Sequence, residues 1–315
     1  MIVTLTPNPS VDRTCAVDHL ERGAVLRATD SREDPGGKGL NVSRALARSG
    51  TATAAVFPVG GAYGRLMLEL LEPESIDLRP VRIGWPIRAN TTVVEPDGTT
   101  TKVNEPGPRL TPDELAALRA EVRAASGQAS WIVCCGSLPP GVADDFYADL
   151  VAHCREAGAR VAVDTSGGPM VAALAARPDL VKPNRIELAE VIGHDLTTLG
   201  AVADAAGSLV ARGIGTVLVS LGRDGALLVD ATRVVHARAA IAAAVSTVGA
   251  GDALLAGYLH AAASGADPVA ALRTAVGFGA AAVQLPGSQM PSPDDIARVE
   301  VVVVADPDRS QPLDD

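Results

Sequence analysis

A three-layer α/β/α fold with a mainly parallel central sheet is predicted by two regularities of the chain. Short β-rich runs recur along it, each stopping at Gly, Ser, Pro or Asn, and longer stretches of helical pattern lie between them. Strands that alternate with helices pair in parallel through right-handed crossovers, which places helices on both faces of the sheet. "MIVTLTP" is the first strand, ended by proline, and a helix is expected over 40–49. "TATAAVFPVG" leads into a helix over 63–71, and another covers 112–125. The runs "WIVCCGS", "ARVAVDTS", "DLVKPN" and "GTVLVSLG" follow, interspersed with helices over 144–156 and 199–212.

Two segments, about 11–34 and 86–107, break the alternation. Both hold short β-prone runs, and the second carries Asp97-Gly98 between "TTVVEP" and "TTTKVN", a hairpin signal. They are expected to pair as a small sheet. In a parallel α/β protein the ligand crevice lies outside the C-terminal strand ends, so such a sheet would cover it as a lid. One domain over residues 1–304 is therefore expected, with an acidic, frayed tail over 305–315.

Composition narrows the function. With 315 residues, 47% hydrophobic and 20% charged, the chain can build a sizeable core, and 3% aromatics leave packing to small and β-branched side chains. A net charge of −10 argues against a nucleic-acid surface, which needs a basic face. Cys15, Cys134, Cys135 and Cys154 show no zinc spacing and are read as reduced, buried thiols. The start has no signal-peptide pattern and no apolar run reaches the ~20 residues that span a bilayer. A cytoplasmic protein without a membrane partner is expected.

The chemistry gathers at glycine-rich turns. In "STVGAGDALLAG", Gly249 and Gly251 let a ligand approach the backbone, and the N–H groups of Ala250 and its neighbours open a helix whose dipole favours an anion. Asp252 stands at its edge, suited to take a proton from a hydroxyl attacking that anion, or equally to cap the helix. "DPGGKGLNVSRALARSG" places Gly37, Lys38 and Asn41 at another helix start, a point charge for phosphate beside an amide for a hydroxyl. In "LVKPNRIELAEVIG", Lys182 precedes Asn184 and Glu187, which share a helix face. That pair either holds hydrated Mg²⁺ near polyphosphate or forms a capping box. "VLVSLGRDGALLV" presents Ser220, Gly222 and Gly225 at a turn that reads as a hairpin or as a nucleotide contact. Ser137 in "CCGSLPPGV", Asp12 after the first strand and Arg88 at the root of the second β segment complete the set.

In order, "GGKGLNV", "GSLPPG", "VKPN..E", "SLG..GA" and "STVGAGD" resemble the PfkB/ribokinase family of carbohydrate kinases over nearly the whole chain, and "LTPNPSVD" resembles its phosphosugar branch. The resemblance implies a ribokinase-like fold and ATP-dependent phosphorylation of a sugar phosphate, with Mg²⁺. It implies Asp252 as base and Gly249, Ala250 and Gly251 as anion hole. Asp12, Gly37 and Asn41 would meet sugar hydroxyls, and Lys38, Arg88 and Ser137 the substrate phosphate. Lys182, Asn184, Glu187, Ser220, Gly222 and Gly225 would face ATP, with Glu187 holding Mg²⁺ through water. The lid often also makes a dimer contact in this family, so a homodimer is implied.

Lys38 matches the 1-phosphofructokinase and tagatose-6-phosphate kinase pattern, where minor 6-phosphofructokinases have glycine; fructose 1-phosphate is thereby favoured. One departure is that 1-phosphofructokinases often carry a lysine in R-x-N-V-K, whereas Arg88 is followed by "ANTTVV". Tagatose-6-phosphate kinase and 6-phosphofructokinase are the alternatives. A non-catalytic sugar-phosphate sensor is the rival of another class, and Asp252 speaks against it.

Overall fold

The structure, a computed structural model, describes residues 1–241 and 244–313. Its first part runs β1 (Ile2–Leu5), β2 (Ser10–Ala16), β3 (Asp30–Gly36), α1 (Lys38–Arg48), β4 (Thr53–Val59), α2 (Gly61–Leu71), β5 (Asp77–Arg82), β6 (Arg88–Val94) and β7 (Thr100–Asn104). The middle runs α3 (Pro112–Ser126), β8 (Trp131–Cys135), α4 (Phe146–Glu156), β9 (Arg160–Asp164), α5 (Gly167–Ala175), β10 (Leu180–Val181), α6 (Arg185–Ile192) and α7 (Leu199–Ala211). The last part runs β11 (Thr216–Ser220), β12 (Ala226–Asp230), β13 (Val234–Ala239), α8 (Ala250–Ala263), α9 (Pro268–Ala282), α10 (Pro293–Ala297) and β14 (Val301–Ala305).

A ten-stranded sheet has the order β14-β13-β12-β11-β10-β9-β8-β1-β4-β5. From β5 to β11 every pairing is parallel, and β12, β13 and β14 extend the sheet antiparallel. Successive strand residues face opposite sides, and β8 shows the result. Ile132 and Cys134 enter a core with α3, α4, α5 and α7, whereas Trp131, Val133 and Cys135 enter one with α1, α8 and α9. Three layers follow from that alternation. Small residues let the helices approach closely: a Cβ on Gly257 of α8 would lie 2.8 Å from Phe278 and 2.9 Å from the Ala275 backbone of α9. This is where an aromatic-poor chain finds its packing.

A second, four-stranded sheet has the order β3-β2-β6-β7. β2 runs antiparallel to β3 and parallel to β6, and the β6–β7 hairpin turns at Gly98, whose φ is 89°. The register sets Ser10 opposite Arg88 and Asp12 opposite Asn90. Val11, Leu40, Phe57, Met67 and Ile87 form a third apolar cluster between this sheet and α2.

Three expectations change. Cys134, Cys135 and Cys154 are buried, but Cys15 in β2 is half-buried. The helix expected from 144 starts at Phe146, after a turn in which Phe146 N donates to Ala143 O at 3.1 Å. The tail is not frayed as far as Leu313. The first turn of α7 has amides without helical partners; Gln311 and Arg309 carbonyls accept from Leu199 N and Gly200 N at 3.0 and 2.9 Å. Leu313 adds its side chain to the core below. The two final aspartates of the expected tail lie outside the described residues. No helix among the described residues is long and apolar enough to cross a membrane.

Candidate active site

Two helix starts and two strand ends meet at one place. Gly249, the N-cap of α8, has φ 78°, and a Cβ there would lie 2.8 Å from Met290 Cε. Gly251 leaves room of another kind: its Cβ would stand 3.4 Å from Lys182 Nζ. The two glycines thus serve different ends, one a left-handed backbone turn and the other the approach of an ammonium group. The amides of Ala250, Gly251 and Asp252 belong to the turn whose N–H groups have no helical partner.

Asp252 is 7% exposed, and Asn41 Nδ2 donates to its Oδ2 at 2.9 Å. Burial, seconded by the like charge of Asp164, pushes its pKa up to about 6 against the pull of Lys38, Asn41 and Lys182. One carboxylate oxygen is therefore held and the other is available to accept a proton.

Asp164 ends β9 and is completely buried. Lys38 Nζ donates to its Oδ1 at 2.8 Å; Lys182 Nζ lies 3.2 Å from Oδ2, off the hydrogen-bonding direction, so that contact is ionic. Burial works against the charge of Asp164, but the two ammonium groups outweigh it and hold its carboxyl below the usual range. Lys38 also stands 3.7 Å from Glu187 Oε1. Burial would lower its pKa, yet Asp164, Asp252 and Glu187 keep it charged well above the usual lysine range.

Asn184 and Glu187 form the capping box: Asn184 Oδ1 accepts from Glu187 N at 2.8 Å and Glu187 Oε2 from Asn184 N at 2.9 Å. Glu187 Oε1 is left facing Lys38. Ser220, Gly222 and Gly225 do form a hairpin turn, and with Asn184, Ala250 and Gly251 they line a cavity of about 450 Å³, to which Leu254, Val276 and Val283 add apolar side chains. That size and mixed lining suit a ligand with an apolar part and a charged part.

A second polar cluster lies under the small sheet. Asp12 Oδ1 accepts from Ser10 Oγ at 2.7 Å and Asn90 Nδ2 at 2.9 Å, and burial raises its pKa against those bonds and the Arg88 charge. Gly36 leaves the space that Asp12 occupies. Arg88 donates to the carbonyls of Glu105 at 2.7 Å and Asn8 at 3.1 Å, while its Nε is buried without a partner. Asn8 Nδ2 donates to Ser137 Oγ at 3.3 Å, which joins Ser137 to the same cluster. Gly37, with φ 124°, makes the turn into α1 between the two clusters.

The sequence reading therefore placed most of these residues together but missed Asp164, Asn8 and Asn90. Lys38, expected beside the substrate phosphate with Arg88 and Ser137, is held by Asp164 and Glu187 next to Asp252. Asp164 had a signal: it is the one charge inside the apolar run "VAVDT". Asn8 lies within "LTPNPSVD", the stretch that carries the resemblance to the phosphosugar branch, but nothing local marks it as a partner of Ser137 and Arg88.

A family profile described as "pfkB family carbohydrate kinase" matches residues 6–295. The chain is 39% identical over 298 residues to a 1-phosphofructokinase of Rhodobacter capsulatus, covering 94% of each chain. It is 37% identical to an ATP-dependent 6-phosphofructokinase isozyme 2 of Mycobacterium tuberculosis, covering 94% of this chain and 88% of that one. Among solved structures, phosphofructokinase-2 from Escherichia coli in complex with substrates and products superposes with a TM-score of 0.90 at 35% identity, covering 94% and 97% of the two chains. The chain belongs to the pfkB family of carbohydrate kinases.

Proposed function

We propose that the protein transfers the γ-phosphoryl group of ATP to the free primary hydroxyl of fructose 1-phosphate, giving fructose 1,6-bisphosphate. The observation that carries this reading is Asp252: a buried carboxylate with one oxygen held and one open, at a glycine-framed helix start beside the large cavity. The similarity to the Rhodobacter capsulatus 1-phosphofructokinase supports the choice of sugar.

Each cluster then has a task. Asp252 Oδ1 accepts the hydroxyl proton as the oxygen attacks, and the Ala250 and Gly251 amides meet the phosphoryl oxygens with Lys182 beside them. Asn184, Ser220, Gly222 and Gly225 face ATP. Asp12, Gly37 and Asn41 orient the sugar hydroxyls. Arg88, whose buried Nε lacks a partner, and Ser137 hold the sugar's phosphate. The small sheet is a lid that keeps water out during transfer, and its outer strand β7, exposed throughout, offers a surface for a homodimer.

Mg²⁺ arriving with ATP would neutralise charge on the phosphates. Among the described residues no group of three or more His, Cys, Asp and Glu is placed to hold a metal ion. Glu187 fits a water-bridged role instead, because its Oε2 is engaged in the capping box and its Oε1 is turned to the site.

An assay of ADP release with Mg-ATP and fructose 1-phosphate, fructose 6-phosphate, tagatose 6-phosphate or fructose tests the assignment. The highest kcat/KM is expected with fructose 1-phosphate, and a higher value with another phosphosugar overturns it. Fructose 6-phosphate is the second reading, supported by the similarity to the Mycobacterium tuberculosis 6-phosphofructokinase isozyme 2. Lys38 is drawn toward Asp164, so it does not by itself decide between the two.

Asp252 must be ionised to accept a proton, so activity is lost as pH falls through its raised pKa; an acid limb in kcat/KM is expected near pH 6.

A further inference from the structure

We propose that Arg44 is a positioning residue of the active site: its guanidinium fixes the orientation of the Asn41 amide, which in turn holds the Asp252 carboxylate with one oxygen free. Arg44 stands one turn after Asn41 on α1, so the two share a face. It is 4% exposed. Its Nε donates to Glu74 Oε1 at 3.2 Å, and its Nη1 to Ser288 O at 3.1 Å and to Asn41 Oδ1 and Pro35 O, each at 3.4 Å.

A guanidinium only donates, so whatever faces it must present an oxygen. The Asn41 amide obeys, turning Oδ1 to Arg44 and Nδ2 to Asp252 Oδ2. A flipped amide would set NH₂ against guanidinium and oxygen against carboxylate, losing both bonds at once. Arg44 and the acceptor-only Asp252 carboxylate thus hold the amide from its two ends, and without Arg44 the Oδ1 end loses its anchor.

Other charges surround the pair. Asp252 is faced by Asp164 from β9, Lys38 from α1, Lys182 after β10 and the Cys135 thiol of β8; Arg44 is faced by Glu74, Arg48 and Asp34. Asn41 is the side chain that bonds to both. Arg48 makes a natural comparison, because it shares Glu74 and donates to Met290 O at 2.7 Å. It stabilises the same corner without touching the amide.

The inference rests on Asp252 as the base. The test is kcat/KM against pH, with KM for ATP and a melting curve, for the full chain carrying Arg44→Met, Arg44→Lys or Arg48→Met. Loss of an ordered Asn41 donor raises the pKa of Asp252, so the acid limb of both Arg44 variants is expected to move up, by about one unit in Arg44→Met. The rate at pH 6 relative to pH 8 then falls about fivefold, with KM for ATP changed less than about twofold. Lysine keeps the charge but cannot serve Glu74 and Asn41 with one fork. Arg48→Met is expected to lower Tm and leave the limb in place. An unmoved limb in a folded Arg44 variant, an equal shift in Arg48→Met, or failure of both Arg44 variants to fold overturns the proposal. Failure of the underlying reading looks different: the limb would then survive in Asp252→Asn.

Discussion

Replacing Asp252 by asparagine is expected to lower kcat by ~10²–10⁴-fold, the usual contribution of a positioned base, and to change KM for ATP by less than about twofold. The amide keeps the shape and can still accept from Asn41 Nδ2 through its oxygen, but it cannot take a proton. The cavity proposed for ATP is lined by other residues, so binding is expected to survive. Steady-state kinetics check this, and turnover equal to the unmodified protein contradicts it.

The same variant is expected to be more stable above pH 6. Asp252 has a pKa of about 6 in the fold against an ordinary aspartate value of 3.8, so folding costs free energy wherever the unfolded chain is ionised and the folded carboxylate must be too. The cost is absent below the lower value, grows between the two and is complete above pH 6. It amounts to as much as ~3 kcal/mol. Denaturation at pH 8 and pH 4 reads the difference: a gain at pH 8 that shrinks at pH 4.

Asp164 carries the largest effect on stability. Its removal in Asp164→Ala leaves Lys182, 3% exposed, and the part-buried Lys38 without their shared counter-charge. Breaking a buried ion pair from one side costs about 3–5 kcal/mol, and that loss is expected in urea denaturation. A second consequence has a definite sign. Asp164 raises the pKa of Asp252, so without it the acid limb moves below pH 6. A loss under about 1 kcal/mol, in the range of exposed pairs, contradicts this account.

The parts legible in the sequence are those written locally. The left-handed turn at Gly249, the capping box of Asn184 and Glu187 and the hairpin at Gly98 each depend on residues within a few positions. The parallel sheet was legible because buried strands read as continuous apolar runs. What was not legible depends on partners far along the chain. Lys38 meets Asp164 across 126 positions and Asn41 meets Asp252 across 211, so spacing says nothing of either bond. The motif around Lys38 announced a phosphate ligand, and the fold gave that ammonium to a buried carboxylate. The docked tail was hidden for a related reason: the amides it satisfies lie at the start of α7, about a hundred residues earlier, where its polar composition gives no hint of pairing.

The measurement that tests the account most directly is kcat/KM from pH 5 to 9 for the unmodified protein and for Asp252→Asn. A phosphosugar has its own ionisation near pH 6, and the variant separates the two sources. An acid limb near pH 6 in the unmodified protein that disappears from the residual rate of Asp252→Asn is the expected result. A limb of the same midpoint and depth in both proteins would assign it to the substrate and contradict Asp252 as the base.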